Sequence, residues 1–381
     1  MWSRLVSAYD GESRAFICTV DTVPYMEFQH AVDSFADRDW QESTDGTVRL
    51  ALVGLGWWTV DEAIPAIRET DLCEVSVLVS RSEEKAQRFA DEAGVPHAIS
   101  GDSYHDSACA DEYDAVYVCT PNAYHLEYVE TAADLGKAVL CEKPMEASVE
   151  RAERMAAVAD DAGIPLMVAY RMHTEPAVRR ARELVDAGVI GEPVQVYGNN
   201  SQSLLSIIDD PDQWRLDPDA SGYGTSMMDL GIYPINTTRF ILGSDPVSVQ
   251  AQMASTHDAF ADVPDERSTA TAVYDDGVHA AFTATQNAYT DTELTITGTE
   301  GQLTLSPAFH MDCELTVETD DRSFTASADD VNEMTEEFDY FADCVLAERP
   351  VYADGDHGLY DMRVLEALHE SAETGATVTL E

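Results

Sequence analysis

The sequence predicts an α/β protein of two domains: a parallel sheet wrapped by helices, then a C-terminal α/β domain built on an open, largely antiparallel sheet. Three observations carry this expectation. Between Val48 and about residue 170, apolar runs of strand length alternate with capped helical segments, the pattern of a parallel sheet covered on both faces. After about residue 172 the texture changes to alternating strands joined by turn signals, which read as hairpins. The chain has 381 residues and is 45% hydrophobic, enough for sizeable cores and too apolar for a disordered acidic chain.

Residues 1–46 are weakly patterned and are expected to form an arm ahead of the first domain, with Phe28, Val32, Phe35 and Trp40 on one face of a helix. The first domain, 47–170, opens with VRLALVGLG as a buried strand and a helix over 60–70. EVSVLVS is a strand and SEEKAQRFADEAG a helix closed by Gly94. DAVYVCT, AVLCEKP and LMVAYR are further strands, separated by helices that end at Gly136 and Gly163. The second domain, 171–381, begins with the helix AVRRARELVDAGVIG and the strand PVQVYGN, followed by a long loop over 203–224 and a helix starting near Met227. VSVQAQMAS and three hairpins, with turns at DDG, TEG and DDR, supply the sheet, and two helices finish the chain.

Lys and Arg number 22 against 72 Asp and Glu, a formal charge of −50. That excludes a nucleic-acid binder working by phosphate neutralisation. The acidic residues are spread along the chain, and lysine occurs only at 85, 137 and 143. Such a surface suits molar salt, where the Debye length is about 3 Å, so the expected home is the cytoplasm of a salt-accumulating organism. The seven cysteines are odd in number and mostly embedded in apolar runs, which fits free thiols in a reducing compartment, and no metal-ligand spacing appears. No apolar run approaches the roughly 18–20 residues of a membrane span, and the first residues lack the features of a signal peptide.

The first chemical motif is Gly54-Leu55-Gly56-Trp57-Trp58-Thr59, where the first strand hands over to a helix. The first glycine permits the tight turn and the second lets backbone approach a pyrophosphate at a helix N-terminus, so the first domain is expected to be a Rossmann dinucleotide-binding domain. The second strand ends in Ser80-Arg81-Ser82, with Lys85 one turn on, where an NAD enzyme would carry an acid. Hydroxyls and scarce cations there suit a 2′-phosphate, which favours NADP. Thr120-Pro121-Asn122 with His125, and Glu142-Lys143-Pro144, follow the next strands, and ligands of open α/β sheets bind at such carboxyl ends. Asp229 and Tyr233, four apart on a predicted helix, share one face.

GLGWWT, TPN with His125, EKP, AYRMHTEP, DQWRL and MMDLGIYPINTTRF together resemble the Gfo/Idh/MocA oxidoreductases, in consistent order from about residue 48 to the C-terminus. The acidic composition and the SRS segment resemble the haloarchaeal branch, whose activity is NADP-dependent oxidation of D-xylose at C1. The resemblance implies that Lys143 is the catalytic lysine, Tyr233 the acid/base and Asp229 a residue that positions the sugar. It implies that Arg171, Trp214 and Arg215 contact the cofactor. Thr59, in place of a small residue, and the bulk of Trp57 and Trp58 depart from the glycine fingerprint.

The expected reaction is oxidation of a cyclic aldose to its lactone, Tyr233 taking the anomeric proton as hydride leaves C1. An unperturbed phenol titrates near 10, so a cation such as Lys143 nearby would assist. The alternatives are a dismutase-like oxidoreductase with tightly held NADP and a non-catalytic dinucleotide sensor. The family resemblance further implies a homodimer or homotetramer formed through the open sheet. Strands such as TATAVY and AAFTAT, with Val, Tyr, Phe and Ala, are expected to expose apolar surface there.

Overall fold

The computed structural model describes residues 33–42, 45–309, 313–328 and 331–380. Most of the expected arm, including Phe28 and Val32, lies outside the described residues, as does Cys18.

The first sheet has six strands: β1 (Val48–Val53), β2 (Cys73–Ser80), β3 (His97–Ser100), β4 (Ala115–Val118), β5 (Ala138–Glu142) and β6 (Leu166–Ala169). Their order is β3-β2-β1-β4-β5-β6 and every pairing is parallel. The order reverses between β1 and β4: β2 and β3 extend the sheet on one side of β1, and β4, β5 and β6 on the other, which opens a crevice at the carboxyl ends of β1 and β4. Burial on both faces explains the unbroken apolar runs: Leu50, Ala51, Leu52 and Val53 are each at most 1% exposed. The edge strand β3 has four residues and no apolar run, and the sequence reading passed over it.

Helix ends follow the expected chemistry. Ser82 caps Glu83–Ala93 by accepting from the Lys85 amide at 3.2 Å, and Gly94 closes it at φ +70°. Two segments are wider than α-helices: Trp58–Ala63 and Met227–Gly231 are π-helical, and regular helix begins only at Ile64 and Ile232. Such wide turns cluster at functional sites.

The second sheet has nine strands: β7 (Pro193–Ser203), β8 (Pro246–Ala254), β9 (Arg267–Tyr274), β10 (His279–Thr285), β11 (Asn287–Gly298), β12 (Gly301–Leu305), β13 (Glu314–Thr319), β14 (Ser323–Ser327) and β15 (Val378–Thr379). In the order β14-β13-β12-β11-β7-β10-β9-β8-β15, β7 with β10 is the parallel pair and the others are antiparallel. Helices Pro176–Asp186, Ile232–Leu242 and Gly355–Thr374 cover one face, and Gly355–Thr374 also packs on Val149–Ala162 of the first sheet. Helix Glu333–Leu346 packs on β1 and β2, so the chain's end returns to the first sheet.

The expectation of an apolar open face is corrected. Ala270, Ala272, Tyr274, Ala280, Phe282 and Ala284 are buried, whereas Thr269 and Thr271 are exposed and Ala281 and Thr283 half-buried. Alternation fixes that every second side chain shares a face; it does not say which face the helices cover.

The helix expected to carry Phe35 and Trp40 does not continue that far, since a turn follows Asp33 and the chain is irregular to residue 42. Phe35 is still buried in the core and Trp40 packs edge-on against Tyr340, and polar contacts add to this. Arg38 pairs with Glu336 and Asp339 at 2.7 Å each, and Arg179 and Arg180 donate to the Asp37 carbonyl.

Candidate active site

The carboxyl ends of β1, β4 and β5 face the loop and helix of the second sheet across a cavity of about 340 Å³. Its lining unites eleven residues singled out in the sequence: Trp57, Trp58, Thr120, Asn122, Glu142, Lys143, Arg171, Trp214, Arg215, Asp229 and Tyr233.

Lys143 follows β5, and its peptide bond to Pro144 is cis. Its ammonium donates to Asp229 Oδ1 at 2.9 Å and to the Asp229 carbonyl at 3.0 Å, and lies 4.6 Å from the centre of the Tyr233 ring. The other Asp229 oxygen accepts from Arg215 Nε at 3.0 Å and Gln286 Nε2 at 2.8 Å. Burial disfavours the charge on Asp229, but Lys143 and Arg215 outweigh it and hold the carboxyl well below its usual range. Burial likewise works against the Lys143 ammonium, and Asp229, Tyr233 and Glu142 overcome it, keeping the group above its ordinary value. The site therefore holds a fixed ion pair.

Arg171 sits between the rings of Trp58 and Tyr233, 5.2 and 5.4 Å from their centres, with Nε 3.4 Å from the Tyr233 hydroxyl. An ion pair with Glu333 and a 2.8 Å bond to the Phe309 carbonyl anchor the guanidinium. Phe309 has φ 64°, a left-handed backbone unusual for a bulky residue, and this turn presents its carbonyl to Arg171. Negative charge developing on the Tyr233 oxygen would thus lie beside one cation, with a second over the ring. Glu142 anchors the opposite wall, accepting from Tyr117 at 2.6 Å and the Trp58 indole at 3.1 Å.

The glycine loop fits a dinucleotide. Gly54 has φ +90°, and a Cβ there would stand 2.1 Å from the Cys119 carbonyl oxygen, so the turn requires glycine. Gly56 is exposed, and a Cβ there would meet nothing within 4 Å, which leaves open space over its backbone. Thr59 is fully buried and donates to the Gly54 carbonyl at 2.6 Å, tying the two ends of the loop. The Trp58 indole is held in the cavity wall, while Trp57 stands 43% exposed at its mouth.

At the end of β2, Arg81 and Lys85 are exposed and Ser80 is buried. Arg81, Lys85 and Arg88 form no ion pair with another described residue, in a chain where most arginines do. Lys85 and Arg88 lie near the Phe89 ring. The Ser82 oxygen is used as a helix cap, which leaves its O–H free to donate. These residues lie outside the cavity lining.

Two further expected residues are tied into the loop after β4. His125 has no exposed surface; its ring nitrogens face the carbonyls of Met145 and Thr120 at 3.1 and 3.0 Å, so it braces the β4 loop. Asn122 is 3% exposed and donates to the Ser221 carbonyl at 2.9 Å, fastening that loop to the second domain, and Pro121 leads into it. Sequence reasoning missed Gln202, Gln286 and Glu333, for which no local motif signals a role.

Fold and site together define a dinucleotide-dependent oxidoreductase, its reactive groups shared between a Rossmann domain and a sheet domain. Family models agree: the oxidoreductase family with NAD-binding Rossmann fold matches residues 48–170, and the GFO/IDH/MocA C-terminal domain matches 178–304. The chain belongs to the Gfo/Idh/MocA oxidoreductases. It is 50% identical to the D-xylose 1-dehydrogenase (NADP(+)) of Haloarcula marismortui over 93% of this chain and 100% of that one. It is 35% identical to D-xylose 1-dehydrogenase (NADP(+)) 2 of Haloferax volcanii, covering 87% of this chain and 98% of the other. Among solved structures, the aldose-aldose oxidoreductase of Caulobacter crescentus complexed with glycerol superposes with a TM-score of 0.81 at 28% identity, covering 88% of this chain and 100% of that one. Among the described residues, no helix is long and apolar enough to cross a membrane.

Proposed function

We propose that this chain is an NADP-dependent aldose 1-dehydrogenase that oxidises a cyclic pentose, D-xylose foremost, to its lactone. The full-length identity to the Haloarcula relative carries the reading, and the open space over Gly56 with the unpaired cations at the end of β2 supports NADP. The nicotinamide, when bound, supplies the two-electron acceptor. Tyr233 takes the proton of the anomeric hydroxyl as C1 gives up its hydride, and C1–O becomes the lactone carbonyl. Lys143, fixed by Asp229, and Arg171, fixed by Glu333, offset the charge passing through the Tyr233 oxygen. Asp229 positions the sugar, and Arg215 holds its carboxylate in place.

The same reading takes 1–46 as an arm, 47–170 as the dinucleotide domain and 171–381 as the substrate and oligomerisation domain of a cytoplasmic homo-oligomer. The likeness to an aldose-aldose oxidoreductase favours a second reading, in which tightly held NADP shuttles hydride between two sugars. One experiment separates them. In molar KCl with a panel of aldoses, the dehydrogenase reduces added NADP in proportion to lactone formed; turnover that requires a second sugar and leaves added NADP unreduced supports the alternative. No oxidation of any aldose overturns both.

A further inference from the structure

A ladder of two amides leads from the catalytic carboxylate to the cavity wall. Gln286, fully buried after β10, donates from Nε2 to Asp229 Oδ2 at 2.8 Å. Its Oε1 accepts from Gln202 Nε2, also at 2.8 Å. Gln202 lies near the end of β7, which pairs with β10, and lines the cavity.

The direction of this ladder is dictated from one end. Asp229 is ionised, held so by Lys143 and Arg215, and an ionised carboxylate only accepts hydrogen bonds. Gln286 must therefore turn its amino group toward Asp229 and its carbonyl away. That carbonyl can only accept, so Gln202 must turn its own amino group toward it. The Gln202 carbonyl is thereby the end of the chain, and it has no hydrogen-bond partner among the described residues. The cavity it lines also carries the apolar side chains of Leu204, Ile207 and Ile208.

We infer that Gln202 determines specificity: its side-chain carbonyl accepts a hydrogen bond from one hydroxyl of the bound aldose. This rests on the aldose dehydrogenase reading. Sugar filling the cavity excludes water from that carbonyl, so an aldose with no hydroxyl at that position leaves a polar group unpaired, a mismatch that discriminates strongly. Recognition is thus coupled to catalysis, since Asp229 holds both the lysine and, through Gln286, the reading group.

The test uses the full-length enzyme in molar salt and a series of aldoses, each lacking one ring hydroxyl. Gln202→Met keeps the length of the side chain and removes the carbonyl. Its kcat/KM for the preferred aldose should fall about tenfold or more, mainly through KM, with KM for NADP unchanged. For one deoxy-aldose the variant and the natural enzyme should be equal within about twofold. Gln286→Met, which frees the Gln202 amide to rotate, should relax preference at the same hydroxyl, and supplies the test where Gln202→Met does not fold. Uniform loss across the series, or no loss, overturns the role of Gln202. Failure of the natural enzyme on every aldose overturns the underlying activity instead.

Discussion

The Lys143 ammonium contacts Asp229 twice, at the carboxylate oxygen 2.9 Å away and at the backbone carbonyl 3.0 Å away. The first contact balances charge and the second fixes position, because the carbonyl belongs to the π-helical turn that precedes Tyr233. The lysine is thereby set against the Tyr233 ring without help from substrate.

Lys143→Met and Tyr233→Phe should each lower kcat by about 10²–10⁴ with the fold intact by circular dichroism. Because the two groups handle one proton, the double variant should be little worse than the poorer single one. Multiplicative losses in steady-state kinetics would show that they act independently.

The two glycines of the loop make opposite predictions. Gly54→Ala forces a Cβ against the Cys119 carbonyl and should lower the melting temperature strongly, or abolish folding. Gly56→Ala adds a methyl group in open space, so stability should hold while NADP affinity falls. At the other end of the cofactor, Arg81→Asp should reduce kcat/KM with NADP about 100-fold and leave NAD largely unaffected. Titration with each nucleotide checks both; equal losses with NADP and NAD would remove Arg81 from 2′-phosphate recognition.

Much of this was legible in the sequence. Parallel strands buried on both faces declare themselves as apolar runs, and Lys143 stood out because lysine is nearly absent. The residues at β2 were visible for the same reason, since any cation is conspicuous in a chain of charge −50. The rest depends on contacts between segments far apart in the chain. Arg171 meets Glu333, and Gln202 meets Gln286, and neither pair shares a local pattern. His125 looked like a ligand at a strand end, but two backbone carbonyls claim its ring. The covered face of the second sheet depends on where helices dock, which period-two alternation does not encode.

Glu175 should make stability depend on pH. It is 3% exposed, caps Pro176–Asp186, and burial, aided by Glu333, pushes its carboxyl up to about 8, against the pull of the Ala177 amide, Arg179 and Arg171. A carboxyl whose folded value is raised favours folding fully below its unfolded value, near 4.3, and that contribution is lost as pH rises through about 8. Glu175→Gln imitates the protonated form and does not titrate. The variant should therefore gain on the natural protein as pH rises from 4.5 to 8, by about 4 kcal/mol at the upper end. Denaturant midpoints for the pair across this range, at fixed molar salt, measure the gain, and a difference that does not vary with pH would refute it.

The open face of the second sheet predicts how copies associate. Across β9, β10, β7, β11 and β12 the outward side chains are mostly Thr, Gln and Asn, with Tyr197 43% exposed and carboxylates at Asp291 and Glu293. A shallow hollow at its centre is lined by Gln195, Tyr197, Glu293, Thr295, Thr297, Gln302 and Thr304. Two chains of charge −50 repel wherever their acidic surfaces meet. A polar, threonine-rich sheet can pair with its copy through hydrogen bonds and side-chain packing, with the repulsion elsewhere screened by salt. Light scattering after size exclusion in molar KCl should give a dimer or tetramer, and the mass should fall as salt is diluted toward about 0.1 M, where the Debye length reaches about 10 Å. Tyr197→Asp places one more carboxylate per chain at the contact, two in a symmetric dimer, and should dissociate the assembly in molar salt without lowering the melting temperature of the monomer. A natural protein that runs near 41.7 kDa in molar KCl would rule out association through this face.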